Sequence, residues 1–177
     1  MPRLTLRLLV LAVLSMGLVT PAHAANAPEY IKKYIPDAQP VGQGHLTYMF
    51  WDVYDATLYG ARGKFNKSQP FALTLKYLRE IDGRAIADRS AEEMRQQGGI
   101  DEIKLAQWHE QMLRIFPKVK PGTTLTGIYL PKKGTMFYRD STLIGTINDK
   151  DFSRHFFDIW LGHETTAPEL RRKLTGI

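Results

Sequence analysis

Residues 122–162, GTTLTGIYLPKKGTMFYRDSTLIGTINDKDFSRHFFDIWLG, decide the fold. Thr124–Leu130 is rich in β-branched and aromatic residues and lies between Pro121-Gly122 and Pro131-Lys132-Lys133-Gly134, so it reads as a strand between turns. Residues 135–139 return as a second strand, with Met136 and Tyr138 on one face and Phe137 on the other. Asp140-Ser141 is a short polar break before a third strand, Thr142–Ile147. Connections this short force antiparallel neighbours, because a parallel return needs a crossover of about a dozen residues or more. Asn148 or Asp149 then caps a helix carrying Phe152, Phe156, Ile159 and Trp160 at helical spacing, and Gly162 stops it. So wide an aromatic stripe must cover something apolar, and the sheet just made is nearest.

Upstream, the chain becomes strand-like from Val41. Residues 45–50 and 52–59 read as two strands or as one long bent strand, with Val53, Asp55 and Thr57 opposite Tyr54, Ala56 and Leu58. Residues 60–69 form a loop. Residues 71–78 alternate, with Phe71, Leu73, Leu75 and Tyr77 pointing one way. A helical block follows from Asp82-Gly83 to Gly98-Gly99, with a capping box at Ser90 and Glu93 if the helix restarts there. A second helix from Asp101 aligns Leu105, Trp108, Met112 and Ile115 along one face and ends at Phe116-Pro117. Thr166 and Glu169 form another capping-box pattern before a short basic helix ending at Leu174. Strands, two helices, strands, helix, helix: the grouping predicts an α+β domain with helices laid on one antiparallel sheet.

Of the 177 residues, the first 24 read as a secretory signal peptide. Arg3 and Arg7 precede an apolar run over residues 8–14, and Ala22-His23-Ala24 supplies the small-residue cleavage site. The run is short for a membrane span, which needs about 20 residues, and no later segment is long enough. The expected organisation is a leader over residues 1–24, an extended, loosely attached arm with three prolines over 25–40, and one domain over 41–177. The expected location is outside the cytoplasm, in the periplasm. Removing Arg3 and Arg7 lowers the formal charge from +6 to +4. The remaining excess is scattered and forms no basic stripe interleaved with aromatics, which argues against a nucleic-acid partner.

The chain has no cysteine, which rules out disulfides, thiol nucleophiles and thiolate metal sites. His109-Glu110 and His163-Glu164 lack the second histidine of a zinc-protease motif. Asp151, His155 and Asp158 share a helical spacing, which more often marks solvated charges than a metal face. No G-x-S-x-G, P-loop or G-x-G-x-x-G is present, so neither a serine hydrolase nor a cofactor is expected. What remains is a set of aromatic and basic residues near the sheet, among them Tyr54, Tyr77, Trp108, Arg79, Arg84 and Arg89. The plain reading is core aromatics beside a solvated basic edge. The sharper one is an apolar cleft between sheet and helices with a cation at its mouth, suited to a hydrophobic body with an anionic head.

In order, residues 50–59, 72–79, 115–122 and 145–147, then Phe152 and residues 159–162, resemble the chalcone isomerase-like family in its exported bacterial members. The resemblance runs from about Val41 to Leu174. It implies an open-faced β-sandwich, a large antiparallel sheet backed by a layer of helices. Plant chalcone isomerases close a flavanone ring with an arginine, a threonine, a tyrosine, a lysine and an asparagine. In this sequence those positions fall near His45 or Leu46, near Tyr54, and near Ile86, Arg89 and Glu93. Only Arg89 keeps the character of its counterpart, and aliphatic side chains cannot fill acid–base or electrostatic roles. Related plant proteins of the fold bind fatty acids through an arginine and a tyrosine.

That arginine and tyrosine fall on the same lost positions, so a carboxylate held here needs another cation; the first reading is a non-catalytic binder of a small amphipathic molecule in the cleft. Arg89 and Arg79, with Arg84 as a further cation, are the head-group candidates, and Tyr77, Tyr54 and Trp108 the walls. Two rivals stand beside it: an isomerase or lyase working through His45 and Glu93 with Arg89, and a protein-interaction module using exposed aromatics.

Overall fold

The computed structural model describes residues 26–177; the leader read over residues 1–24 lies outside them. Strands β1 (Ala38–Tyr48), β2 (Trp51–Ala61), β3 (Phe71–Tyr77), β4 (Thr124–Leu130), β5 (Gly134–Arg139) and β6 (Thr142–Ile147) form one antiparallel sheet, each pairing with its neighbours in sequence. Around it lie α1 (Glu29–Lys32), α2 (Gly83–Gln97), α3 (Glu102–Ile115), α4 (Lys150–Leu161) and α5 (Pro168–Thr175). The ambiguity over residues 45–59 resolves into two strands. Tyr48 pairs with Trp51 and closes a hairpin on the two-residue turn Met49-Phe50.

Alternation along the strands sorts the sheet's two faces. Tyr54, Leu58, Leu73, Leu75, Tyr77, Leu125 and Phe137 belong to the larger core, under the helices. Tyr59, Ala72, Ile128 and Tyr138 belong to a second, smaller core on the other face. Helix α4 lays Phe152, Phe156 and Trp160 onto the first face. The Phe137 ring meets Phe156 edge-on at 5.2 Å, and Phe152 stacks on Phe156 at 5.3 Å. Phe152 is fully buried, and burying such a ring stabilises by roughly 1.5–3 kcal/mol. The cap is Asp149, whose carboxylate accepts from the Asp151 and Phe152 amides at 2.8 and 3.0 Å.

Helices α2 and α3 lie between β3 and β4 in sequence and pack on each other and on α4. Gly98, with φ of 76°, turns the chain from α2 toward α3 in a conformation that disfavours other residues. Where the block leaves and rejoins the sheet, Ile81 and Val119 form an isolated bridge. There the start of α2 lies so close to the end of α3 that a β-carbon on Gly83 would sit 2.0 Å from the Phe116 carbonyl oxygen.

Three local expectations are corrected. Both capping boxes are replaced by other bonds. Helix α2 runs unbroken through Ser90, whose hydroxyl donates to the Ile86 carbonyl at 2.8 Å, and Glu93 turns to Arg89. At α5, Pro168 opens the helix, no side chain caps it, and the Thr166 hydroxyl donates instead to Glu93. The arm read as extended and loose over residues 25–40 is instead integral: residues 38–40 already belong to β1, and residues 26–37 make a helical turn that covers the sheet's far face. Ile31 is fully buried there, and Tyr34 hydrogen-bonds Tyr138 at 3.0 Å. The sheet has an apolar back, and this segment shields it from water.

Candidate ligand cavity

Between the first face of the sheet and the helices lies a cavity of about 410 Å³. Its floor is β-strand: Leu73, Leu75 and Tyr77 of β3, Leu125 of β4 and Phe137 of β5. Its roof is α2, through Ile86, Arg89, Ser90 and Glu93, and α4, through Phe156, Phe157, Ile159 and Trp160. The lining residues exposed to solvent, Thr47, Tyr48, Ala85, Arg89 and Thr166, mark the mouth. A void this size in an apolar interior persists because the strands hold one wall and the helix packing the other.

The polar groups gather at one end. The Trp160 indole donates to the Tyr54 hydroxyl at 2.8 Å, tying α4 to β2. Burial pushes the Tyr54 phenol up to about 12, against that hydrogen bond, and the nearby Glu93 and Arg89 charges oppose each other there. Tyr77 meets the Tyr54 ring edge-on at 5.7 Å. Burial raises the Tyr77 phenol further still, with Tyr54 adding to the effect. Among the described residues no group hydrogen-bonds the Tyr77 hydroxyl, which reaches the free space of the cavity, although the residue as a whole is 3% exposed. Arg89 donates to Glu93, a carboxylate of which the side chain is only 8% exposed, and Thr166 donates to both of its oxygens at 3.0 Å. The buried charge is thus paired and hydrogen-bonded, as a carboxylate in an apolar wall must be.

Of the residues singled out by sequence, Tyr54, Tyr77 and Arg89 line this cavity. Three others lie elsewhere. Trp108 is buried between α3 and α4: its indole donates to Asp149 at 3.0 Å and its ring meets Phe152 at 5.8 Å, so its helical stripe faces a neighbouring helix. Arg79 lies over the exposed ring of Trp51 at 5.1 Å. Arg84, at the start of α2, is exposed and outside the lining. His45 faces the other side of the sheet, opposite Asp55 in register, and hydrogen-bonds Asp55 and Asp52 at 2.8 and 2.7 Å. It therefore does not join Glu93 and Arg89 at one point. Asp151, His155 and Asp158 are engaged separately, with Lys104, Gln97 and Lys67. Sequence reasoning missed Glu93 as the partner of Arg89, and Thr166 as a second donor to Glu93, although the spacing of four from Arg89 to Glu93 was a signal for a helical ion pair. It also missed Trp160 as the partner of Tyr54.

Fold and cavity together define an α+β sheet protein with a largely apolar cavity between sheet and helices. The chain belongs to the chalcone isomerase-like family, whose sequence model matches residues 41–176. No curated protein matches the sequence. Among solved structures it is similar to a fatty-acid binding protein of Arabidopsis thaliana, with a TM-score of 0.60 and 12% identity, over 78% of this chain and 87% of that one. At that identity the likeness concerns the fold. No helix among the described residues is long and apolar enough to cross a membrane.

Proposed function

We propose that the protein binds a small amphipathic molecule, a fatty-acid-like or other hydrophobic carboxylate, in the sheet–helix cavity and does not transform it. The observation that carries this reading is the polarity of the chamber. Leu73, Leu75, Leu125, Phe137, Phe156 and Phe157 supply an apolar body site, while Tyr54, Tyr77, Arg89 and Glu93 collect at the other end. A volume of about 410 Å³ suits a small ligand, since such sites run from roughly 300 to 1,000 Å³. The fatty-acid binding protein of the same fold supports the ligand class.

In this reading the apolar chain lies along β3, β4 and β5. The head meets the Tyr77 hydroxyl, which has no hydrogen-bond partner among the described residues, and the outer face of the Arg89 guanidinium. Because Glu93 already holds one side of Arg89, the head is received by a paired cation rather than a bare one. That tempers the attraction for an anion and raises the weight of the Tyr77 hydrogen bond. The order of charge, apolar run and Ala22-His23-Ala24 in the leader supports export to the periplasm with cleavage before Ala25. N-terminal sequencing of protein recovered from the cell envelope tests that part.

The test of binding is native mass spectrometry of the protein as purified, with organic extraction of whatever it carries. A stoichiometric amphipathic acid, weakened by Arg89→Ala and by Tyr77→Phe, is the expected result. Protein that is empty as purified and that ignores a panel of fatty acids of graded length would end the proposal.

A further inference from the structure

We propose that the β1–β2 hairpin tip inserts into a lipid bilayer surface and places the cavity mouth against it. Four consecutive large apolar residues stand in water at this tip: Tyr48, Met49, Phe50 and Trp51 are 59%, 76%, 94% and 63% exposed. Single exposed apolar side chains are ordinary on any protein, but an unbroken run of four at one turn is not.

The fold does not account for them. Met49 has φ of 56°, a left-handed conformation suited to glycine or asparagine, so the turn itself disfavours the residue found there. Met49 and Phe50 gain little burial in return. Trp51, Asp52 and the turn lie past the last hydrogen bond from β3, in which the Leu78 amide donates to the Val53 carbonyl at 2.9 Å. The tip therefore projects beyond the sheet as a narrow convex edge. Such an edge offers a folded partner little area, whereas a fluid interface closes around any shape.

The chemistry of the tip suits a lipid–water boundary. Tyrosine and tryptophan with an apolar body and a polar end favour the headgroup level, and Met49 and Phe50 extend further. Arg79 lies over the Trp51 ring at 5.1 Å and Arg89 over Tyr48 at 5.8 Å, so two guanidinium groups flank the aromatics where phosphates would lie. Among the described residues Arg79 forms no ion pair with a carboxylate. The acid at the tip, Asp52, is taken up by His45 and Thr47. Tyr48 and Thr47 also line the cavity mouth, so a membrane under the tip lies at the cavity's entrance. Docking stands without the ligand reading; the use of docking, to exchange an amphipathic molecule with the bilayer, rests on it.

Trp51 reports its own position. Trp108 and Trp160 are 2% and 8% exposed, so Trp51 dominates collisional quenching from water. The full protein, with its N-terminus read by mass spectrometry, is mixed with vesicles of phosphatidylcholine containing phosphatidylglycerol. Expected are loss of acrylamide quenching of Trp51, quenching by chain-brominated lipid, and vesicle affinity at least roughly tenfold lower in Phe50→Asp. Phe50 is outside the cavity, so Phe50→Asp keeps its affinity for a short-chain acid without vesicles, and its thermal unfolding confirms that it is folded. Three results overturn the inference: Trp51 as accessible with vesicles as without; unchanged vesicle affinity in Phe50→Asp; or Trp51 shielded without lipid as the protein self-associates. A membrane-docking protein that takes up no ligand would leave the docking intact and remove only the binding proposal.

Discussion

The Trp160 indole on α4 donates to the Tyr54 hydroxyl on β2 at 2.8 Å, and both residues are buried. One bond thus joins the roof of the cavity to its floor. Tyr54→Phe leaves the indole N–H without its acceptor in an apolar wall, and should destabilise the protein by about 1–3 kcal/mol in denaturant unfolding. An unchanged midpoint would mean that the bond contributes nothing.

Tyr77→Phe makes the opposite case with the same chemistry. No protein group is left unsatisfied, because the Tyr77 hydroxyl has no hydrogen bond among the described residues. Stability should stay within about 0.5 kcal/mol of wild type, while affinity for a bound amphipathic acid falls about 2- to 10-fold. A loss of stability equal to that of Tyr54→Phe would show that Tyr77 is a structural donor.

The segment 26–37 should be integral to the fold. Ile31 is fully buried against the far face, beside Ala72, Ile128 and Tyr138. Ile31→Ala should cost about 2–5 kcal/mol by lost burial and the cavity left behind. Tyr138, whose phenol burial and Tyr34 push up to about 12, gives a second readout: in a chain lacking residues 26–37 it should titrate lower, by ultraviolet absorbance. An alanine at position 31 that unfolds at the wild-type midpoint would return this segment to the status of a loose arm.

Two histidines should tilt stability in opposite directions with pH. Hydrogen bonds donated to Asp55 and then Asp52 raise His45 above its ordinary 6.5, so its contribution is full below that value and is lost as pH rises through the folded-state value. Burial lowers His155 below 6.5, so its contribution is full above that value and is lost as pH falls toward the folded-state value. Unfolding midpoints measured from about pH 5 to pH 9 should flatten on the alkaline side in His45→Gln and on the acid side in His155→Gln. His45 is exposed and screened, so its effect is the smaller. Identical profiles in all three proteins would refute the assignment.

Most of the sheet was legible because its signals are local. Phe71, Leu73, Leu75 and Tyr77 alternate without interruption, and Asp149 and Gly162 bound α4 by short-range chemistry. The far-face cover was not legible, because one helical turn among three prolines carries no period long enough to detect. Trp108 shows why the site was only partly readable. Periodicity states that a face is buried but not what buries it, and that face meets α4 rather than the cavity. Arg89 was found because it alone keeps the character of its counterpart in the resembled family. Its pairing with Glu93 was obscured by a capping pattern that matters only where a helix begins, and α2 does not begin at Ser90.

Helices α2 and α3 enter and leave the sheet between two strands that are themselves hydrogen-bonded neighbours, with the Ile81–Val119 bridge at the neck. The ladder from β1 to β6 is complete without them. Half of the roof is therefore an inserted module, and drift in its sequence can reshape what the chamber admits while every strand pairing survives. In a fold built this way the wall of the cavity can change shape at little cost to the sheet that carries it.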